Sequence, residues 1–171
     1  MKTKNLIVRN FILVLGTVLI FSACSKSKKA TDNLVGTWTS GTATFTTMVG
    51  TVTLAQYFTD VLHLSATDAQ TYTAIVNSGI QQSLTGTIQI KSDNTYSSTL
   101  GGTNETGTWI LNSDGTQITV TPSSGSPVVF DIVQLTSTVL KVTLTNHLSE
   151  DLNNDGTPES ITVSVNLTFN K

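Results

Sequence analysis

The chain has 171 residues, of which 12% are charged and 38% hydrophobic, and its formal net charge is −2. This low charge density excludes an intrinsically disordered chain and a nucleic-acid-binding protein, because both need dense charge. One cysteine and two histidines exclude an internal disulfide and a metal site rich in either residue. A single domain with a hydrophobic core is expected at this length.

Residues 1–23 have the pattern of a secretory signal peptide. Three basic residues precede an apolar run over residues 11–21, which is too short to span a bilayer because a spanning helix takes roughly 20 apolar residues. The segment Phe21-Ser22-Ala23-Cys24 resembles a lipobox, in which the cysteine is acylated with fatty-acid chains such as palmitate and becomes the new N-terminus. We therefore expect cleavage before Cys24 and a lipid anchor on Cys24 that attaches the protein to a membrane.

Residues 24–33 are expected to form a lipidated tether ahead of one domain over residues 34–171. The lysines of the tether either lie against lipid headgroups or belong to a solvated linker. They occupy the place of an acidic export signal, which favours the periplasmic face of the outer membrane, with surface exposure as the alternative. From residue 30 onward only three lysines oppose eleven acids, so no nucleic-acid partner is expected.

Residue types that favour strands, mainly threonine, valine and isoleucine, dominate the chain after residue 34. One strand is predicted over residues 34–47, ahead of a helical segment over residues 52–84. Seven more strands are predicted over residues 87–91, 95–100, 105–112, 117–121, 128–135, 139–146 and 160–170. Short turns rich in Asp, Asn, Gly and Ser separate them, so consecutive strands should be antiparallel neighbours.

The helical segment shows apolar residues at helical spacing in two stretches, separated by Ser65. Ser65 with Asp68 resembles a capping box and predicts the start of the second helix. The two helices are therefore inserted between the first and second strands. Their apolar stripes either pack against the sheet or form a lid over one end of it.

Period-two alternation gives most of the strands a single apolar face. The residues predicted to point inward are Ile88, Ile90, Ile118, Val120, Leu140, Val142, Leu144, Ile161, Val163, Val165, Leu167 and Phe169. Eight antiparallel strands with one apolar face predict an all-β, up-and-down barrel with a small helical insertion. Residues 128–133 are apolar except for Asp131, which predicts that this strand is covered on both faces.

Two short motifs carry a resemblance to lipocalins. Gly36-Thr37-Trp38 opens the first strand, and Thr106-Gly107-Thr108-Trp109 occurs in a later strand. Residues 34–171 thus resemble the lipocalin-like domains of bacterial envelope lipoproteins, and the inserted helices are similar to the cap of fatty-acid-binding proteins. The resemblance implies that Trp38 packs across a closed end of the barrel, commonly against an arginine, although the chain has no arginine after residue 9.

The segment Asp151 to Glu159 follows the pattern D-x-N-x-D-G-x-x-E. Its candidate calcium ligands are Asp151, Asn153, Asp155, Thr157 and Glu159. The alternative is that the aspartates and asparagines form Asx-turns in a long hairpin connection. Calcium is the only cofactor that the sequence suggests, and an EF-hand is excluded because Thr162 stands where its last glutamate would be.

No catalytic motif accompanies His63 or His147, so we predict a binding module and not an enzyme. The interior of the barrel is the candidate site, since branched aliphatic residues would leave space for one small apolar ligand. Its predicted lining is Phe58, Leu62, Ile90, Trp109, Phe130, Val142 and Val165. The ligand should lack a strongly charged head, or keep that head at the mouth of the barrel near Lys91 or Lys141. The alternative is a barrel filled by its own side chains that docks an unknown protein partner of the envelope.

Overall fold

The computed structural model describes residues 28–171. The predicted signal peptide and Cys24 lie outside the described residues. Three helices are present in the described part, α1 over residues 28–34, α2 over Leu54–Asp60 and α3 over Ala66–Ser83. The strands are β1 Gly36–Val49, β2 Val52–Thr53, β3 Thr87–Ile90, β4 Thr95–Ser98, β5 Glu105–Leu111, β6 Gln117–Pro122, β7 Val128–Leu135, β8 Val139–Glu150 and β9 Glu159–Asn170.

Eight of these strands close into an antiparallel barrel, which confirms the predicted fold class. The strands from β3 to β9 pair in sequence order, and β1 pairs with β3 on one edge and with β9 on the other. β1 changes partner at an irregularity between Ser40 and Ala43, where a bulge lets the strand bend from one neighbour to the other. The ninth strand, β2, pairs only with the end of β1.

Three strands continue past the rest of the barrel and form an arm. β7 pairs with β8 only up to Thr143, and β3 pairs with β1 only up to Thr39. Beyond those points β9 lies between β8 and β1. Its residues 159–165 pair with residues 144–150 of β8, its residues 161–165 pair with residues 45–49 of β1, and the short β2 pairs with the end of β1. The arm therefore projects from one end of the barrel, which we call the open end.

The opposite, closed end is sealed by α1 and Trp38. Trp38 and Leu34 are completely buried, and the Trp38 Nε1–H donates a 2.7 Å hydrogen bond to the Leu34 carbonyl. The Lys171 ammonium lies 4.6 Å from the centre of the Trp38 ring, within cation–π range. It also donates to the carbonyls of Asn33 and Val35 at 2.7 Å. Lys171 thus takes the place of the arginine that the lipocalin resemblance implied.

Helix α1 also shows that regular secondary structure is present before Leu34. Residues 28–33, which the sequence analysis assigned to a polar tether, are helical. Ala30 of this helix lies beside Gly115 in the turn between β5 and β6. Leu34, the last residue of this helix, is completely buried in the core with Trp38, a tertiary contact that the polar composition of residues 28–33 does not indicate.

Helix α3, the second of the two inserted helices, begins where its capping residue predicts. Ser65 is the N-cap of α3, and its Oγ accepts from the Asp68 N–H at 3.1 Å. The Asp68 carboxylate accepts from the Ser65 hydroxyl, since aspartate is shorter than the glutamate of a full capping box. The complete box lies at the start of α2, between Thr53 and Gln56. None of the helices in residues 28–171 is long and apolar enough to span a membrane.

Two apolar surfaces that were expected to be covered are partly exposed, one on α3 and one on the outer face of β7. Helix α3 contacts α2 and the turn after β4, and its apolar residues Tyr72 and Ile75 are 51% and 60% exposed. The prediction that β7 is covered on both faces is wrong, because Val129 and Val133 are exposed on the outside of the barrel. Of the helices in the described chain, only α1 comes near this strand, at its closed-end residues 132–135, and the outer valines stay 48% and 65% exposed.

Candidate ligand-binding cavity

The barrel is hollow toward its open end. The cavity has a volume of about 270 Å³, and nearly all of its wall is apolar. Its lining is Leu84, Ile88, Ile90, Tyr96, Leu100, Glu105, Trp109, Ile118, Val120, Pro122, Val128, Phe130, Leu140, Val142, Leu144, Val165, Leu167 and Phe169. An engineered apolar cavity of about 150 Å³ is large enough to bind benzene, so this one can hold a somewhat larger molecule.

Five of the residues predicted to line a ligand site do line this cavity. They are Ile90, Trp109, Phe130, Val142 and Val165. Trp109 is only 3% exposed, and its Nε1–H donates to the Lys91 carbonyl at 3.0 Å. That hydrogen bond satisfies the polar atom of the indole and leaves the apolar face of the ring for the cavity.

Phe58 and Leu62 do not line the cavity, although the sequence analysis placed them there. They belong to a separate apolar cluster built around Val49, Leu54 and Tyr57. The Phe58 ring meets the Tyr72 ring edge-on at 6.1 Å. The physical reason is that α2 packs against the arm and not over the barrel interior, so its apolar face is already occupied.

The polar part of the cavity is a tyrosine and a glutamate. The Tyr96 hydroxyl donates a hydrogen bond to Glu105 Oε1. Tyr96 is 4% exposed, whereas Glu105 is open to solvent, so Glu105 marks the place where the cavity meets water. Burial raises the pKa of Tyr96 well above its usual 10, and the Glu105 carboxylate adds to the shift. Tyr96 therefore remains a neutral donor over the physiological range.

The ring of Tyr96 needs the glycine opposite it. Tyr96 pairs with Gly107 across β4 and β5. A Cβ at Gly107 would stand 2.7 Å from the Tyr96 ring and 2.1 Å from the Thr121 carbonyl oxygen. The glycine of the Thr-Gly-Thr-Trp motif thus leaves room for the Tyr96 ring, whose hydroxyl contacts Glu105.

Sequence reasoning missed both polar residues, although the sequence carries a signal for one of them, Glu105. Residues 105, 107, 109 and 111 share one face of β5 because side chains alternate along a strand. Trp109 was predicted to point inward, so Glu105 belongs to the same inward face. The expected polar contacts, Lys91 and Lys141, are exposed and do not line the cavity.

The candidate calcium loop has Asx-turn hydrogen bonds at Asn153 and Asp155, whose side chains accept from the N–H two residues on, while Asp151 accepts from residues further along the loop. Asp151 Oδ1 and Oδ2 accept from the backbone N–H groups of Asp155 and Gly156, at 3.2 and 2.9 Å. Asp155 Oδ1 accepts from the Thr157 N–H at 2.8 Å. Within residues 28–171 no three acidic, histidine or cysteine side chains are grouped so that they could hold a metal ion. Calcium binding by Asp151, Asn153, Asp155, Thr157 and Glu159 stays a prediction.

Glu159, the last residue of that loop, ties the loop to the inserted helix. Its Oε1 accepts from the Tyr57 hydroxyl, and its Oε2 accepts from the Leu152 N–H at 2.8 Å. Burial and the neighbouring Glu159 carboxylate raise the pKa of Tyr57 to about 12. The glutamate is thus engaged in holding α2 against the end of the arm.

Comparison with known proteins adds one structural similarity. No protein-family model and no curated protein match the chain. Among solved structures, the chain is similar to a DUF4847 family protein from Bacteroides vulgatus ATCC 8482. The two share 14% sequence identity, and the match covers 79% of this chain and 91% of that chain with a TM-score of 0.38. A similarity at this level carries no argument about function.

Proposed function

We propose that this protein is an envelope-anchored lipoprotein whose lipocalin-like barrel binds a small apolar ligand, without being an enzyme. The observation that carries the proposal is the apolar cavity of about 270 Å³ at the open end of the barrel. An eight-stranded barrel is just wide enough either to be filled by side chains or to hold one small ligand. The cavity favours the second of these outcomes.

The chemistry of the wall supports an apolar ligand over a sugar or a nucleotide. Apart from Tyr96 and Glu105, the lining side chains offer no group that would pair with a ligand's polar atoms, and Trp109 already donates to a backbone carbonyl. Burying an unpaired polar group costs about 1–3 kcal/mol, whereas each buried methylene contributes about 0.8 kcal/mol. A mostly hydrocarbon molecule is therefore the ligand that this wall fits.

The location rests on the sequence. Cys24 is the predicted site of acylation, and the only cysteine of the chain occupies the lipobox position. More than one acyl chain on Cys24 would hold the protein stably in a bilayer. We place it on the periplasmic face of the outer membrane, where a small apolar ligand would need a carrier because its solubility in water is low.

A second candidate function is docking of a protein partner by the outside of the barrel. The observation that favours it is an exposed row on three neighbouring strands, in which two apolar side chains flank a threonine. Ile110 pairs with Thr119, and Thr119 pairs with Val129. Ile110 is 64% exposed and Val129 48%. This row lies outside the cavity, so the two functions can be separated by substitution.

A matched pair of substitutions tests the ligand proposal. Val142→Phe places a large ring in the cavity, whereas Val129→Phe makes the same change on the outer face. We expect saturable binding of a hydrophobic fluorescent probe by the wild-type protein and by Val129→Phe, and a loss of at least about tenfold in affinity for Val142→Phe, which corresponds to about 1.4 kcal/mol. Circular dichroism shows whether both variants are folded. Equal binding by the two variants would leave partner docking as the better account.

A further inference from the structure

We infer that the ligand of this cavity carries a head group that donates hydrogen bonds and has no negative charge, an amine or an alcohol and not a carboxylate or phosphate. This inference rests on the proposed function and specifies the class of ligand. It follows from the one charged residue of the cavity wall and from the distribution of charge along the barrel.

Glu105 is the group that a ligand head would meet at the opening. It is the only charged residue among those that line the cavity. An ionised carboxylate accepts hydrogen bonds at both oxygens and donates none. Tyr96 donates to Oε1, and no other side chain or N–H within residues 28–171 donates to either oxygen. A ligand with an N–H or O–H group can fill the remaining acceptor positions, whereas an anionic head meets like charge.

No cation near the opening offsets this charge. The lysines of residues 28–171 lie toward the closed end, in α1, at the turn after β3, in the first part of β8 and after β9. They are Lys28, Lys29, Lys91, Lys141 and Lys171. The backbone of Lys91 lies beside Trp109, four residues along β5 from Glu105 and so roughly 13 Å away at about 3.3 Å per residue. That distance exceeds one Debye length of about 8 Å at physiological salt.

Further acidic residues lie on the side of the open end. They lie on α2, at the start of α3 and at the tip of the arm, where no lysine or arginine is present in the described chain. They are Asp60, Asp68, Glu150, Asp151, Asp155 and Glu159. The acids at the tip of the arm stand about six residues beyond Leu144 of the cavity wall, roughly 20 Å at about 3.3 Å per residue, so salt screens them from the opening. Glu105 is therefore the charge that a ligand head meets.

Competition among three matched amphiphiles tests the inference. Octylamine, octanol and octanoate share one hydrocarbon chain and differ in the head. Each is used at neutral pH to displace a hydrophobic fluorescent probe from the intact protein, from Glu105→Gln and from Glu150→Gln. The Glu150→Gln variant removes the same charge from an exposed position that does not line the cavity. Comparison between variants cancels partition of the amphiphiles into detergent or lipid.

In the wild-type protein, octylamine and octanol should displace the probe at concentrations at least about tenfold lower than octanoate, a difference of about 1.4 kcal/mol. Glu105→Gln should reduce this preference to less than about threefold, while Glu150→Gln and the conservative Glu105→Asp should keep it. Octanoate binding as well as octylamine, or an unchanged preference in Glu105→Gln, overturns the head-group inference while ligand binding stands. Absence of saturable probe binding by the wild-type protein overturns the proposed function itself.

Discussion

Lys171 and Trp38 show how single residues set the shape of the barrel. The aliphatic stem of Lys171 passes over Gly36, where a Cβ would stand 2.5 Å from the lysine Cε. Glycine at the start of β1 therefore makes room for the lysine, and the lysine in turn covers the Trp38 ring. Burial lowers the pKa of Lys171 below its usual 10.5, yet the two carbonyls that it contacts still favour an ammonium donor.

Replacing this lysine should weaken the closed end. Lys171→Met keeps much of the apolar stem but removes both hydrogen bonds and the cation–π contact, so we expect a loss of about 1 kcal/mol in the free energy of unfolding. Lys171→Arg should keep most of that stability, because a guanidinium also stacks on an indole ring. Urea unfolding curves measure both variants. If Lys171→Met were as stable as the wild-type protein, the closed end would not depend on this contact.

At the scale of an element, the position of α2 against the loop between β8 and β9 depends on one residue, Glu159. Glu159 accepts hydrogen bonds from Tyr57 of α2 and from Leu152 of its own loop, and the Tyr57 contact is the main reason that its pKa lies below the usual 4.5. A lowered folded pKa means that the native state favours the carboxylate more than the unfolded state does. The resulting stability is present above pH 4.5 and is lost as the pH falls through the folded pKa.

The stability of the wild-type protein should therefore fall more steeply below about pH 4.5 than that of Glu159→Gln, which has no charge to lose at this position. Chemical denaturation at a series of acid pH values measures the difference. Asp114→Asn is the control, because it removes one exposed carboxylate at the closed end, whereas Glu150 pairs directly with Glu159 and would change its surroundings. Identical acid profiles for the wild-type protein and Glu159→Gln would show that the Tyr57 contact contributes nothing to stability.

The strands were predictable because their signals are local. Alternating apolar residues and turn-forming segments placed eight strands to within a few residues, and Ser65 marked the start of α3. The surroundings of the helices were not predictable in this way. Phe58 and Leu62 have helical spacing whether α2 covers the barrel or the arm, and only the continuation of β8 and β9 beyond β7 decides between the two.

The polar end of the cavity was predictable only in part. Period-two alternation places Glu105 on the same face as Trp109. That the Tyr96 hydroxyl reaches it depends on the pairing of β4 with β5 and on Gly107, which lie in different segments of the chain. The contact of Lys171 with Trp38 at the closed end was not predictable for the same reason, because the two residues are far apart in sequence.

At the scale of the whole molecule, the proposed anchor would lie at the end of the barrel opposite the opening of the cavity. Helix α1 enters the fold at the closed end, and Lys28 is separated from Cys24 by only four residue steps, at most roughly 14 Å of extended chain. An acylated Cys24 would thus hold the closed end near the membrane. Lys28, Lys29 and Lys171 would then face the lipid headgroups, with about 1 kcal/mol of attraction per lysine at an anionic surface. The open end of the cavity would face away from that membrane.

Energy transfer to labelled lipid tests this orientation in the acylated protein. A donor dye is attached at Asp114→Cys, in the β5–β6 turn of the closed end, or at Thr103→Cys, before β5 at the open end. Acylation leaves Cys24 unreactive, so each variant takes one dye. We expect stronger transfer to acceptor lipids from position 114 than from position 103. Stronger transfer from position 103 would mean that the cavity opens toward the anchoring membrane.

The central claim is that the barrel carries a small apolar molecule, and the most direct test is to identify what the protein holds when it is purified from its own envelope. Organic extraction followed by mass spectrometry should recover an apolar compound from the wild-type protein and from Val129→Phe in near-stoichiometric amount. The same compound should be depleted in Val142→Phe, whose added ring occupies the cavity. Recovery of equal amounts from Val142→Phe, or of no such compound from the wild-type protein, would contradict the account.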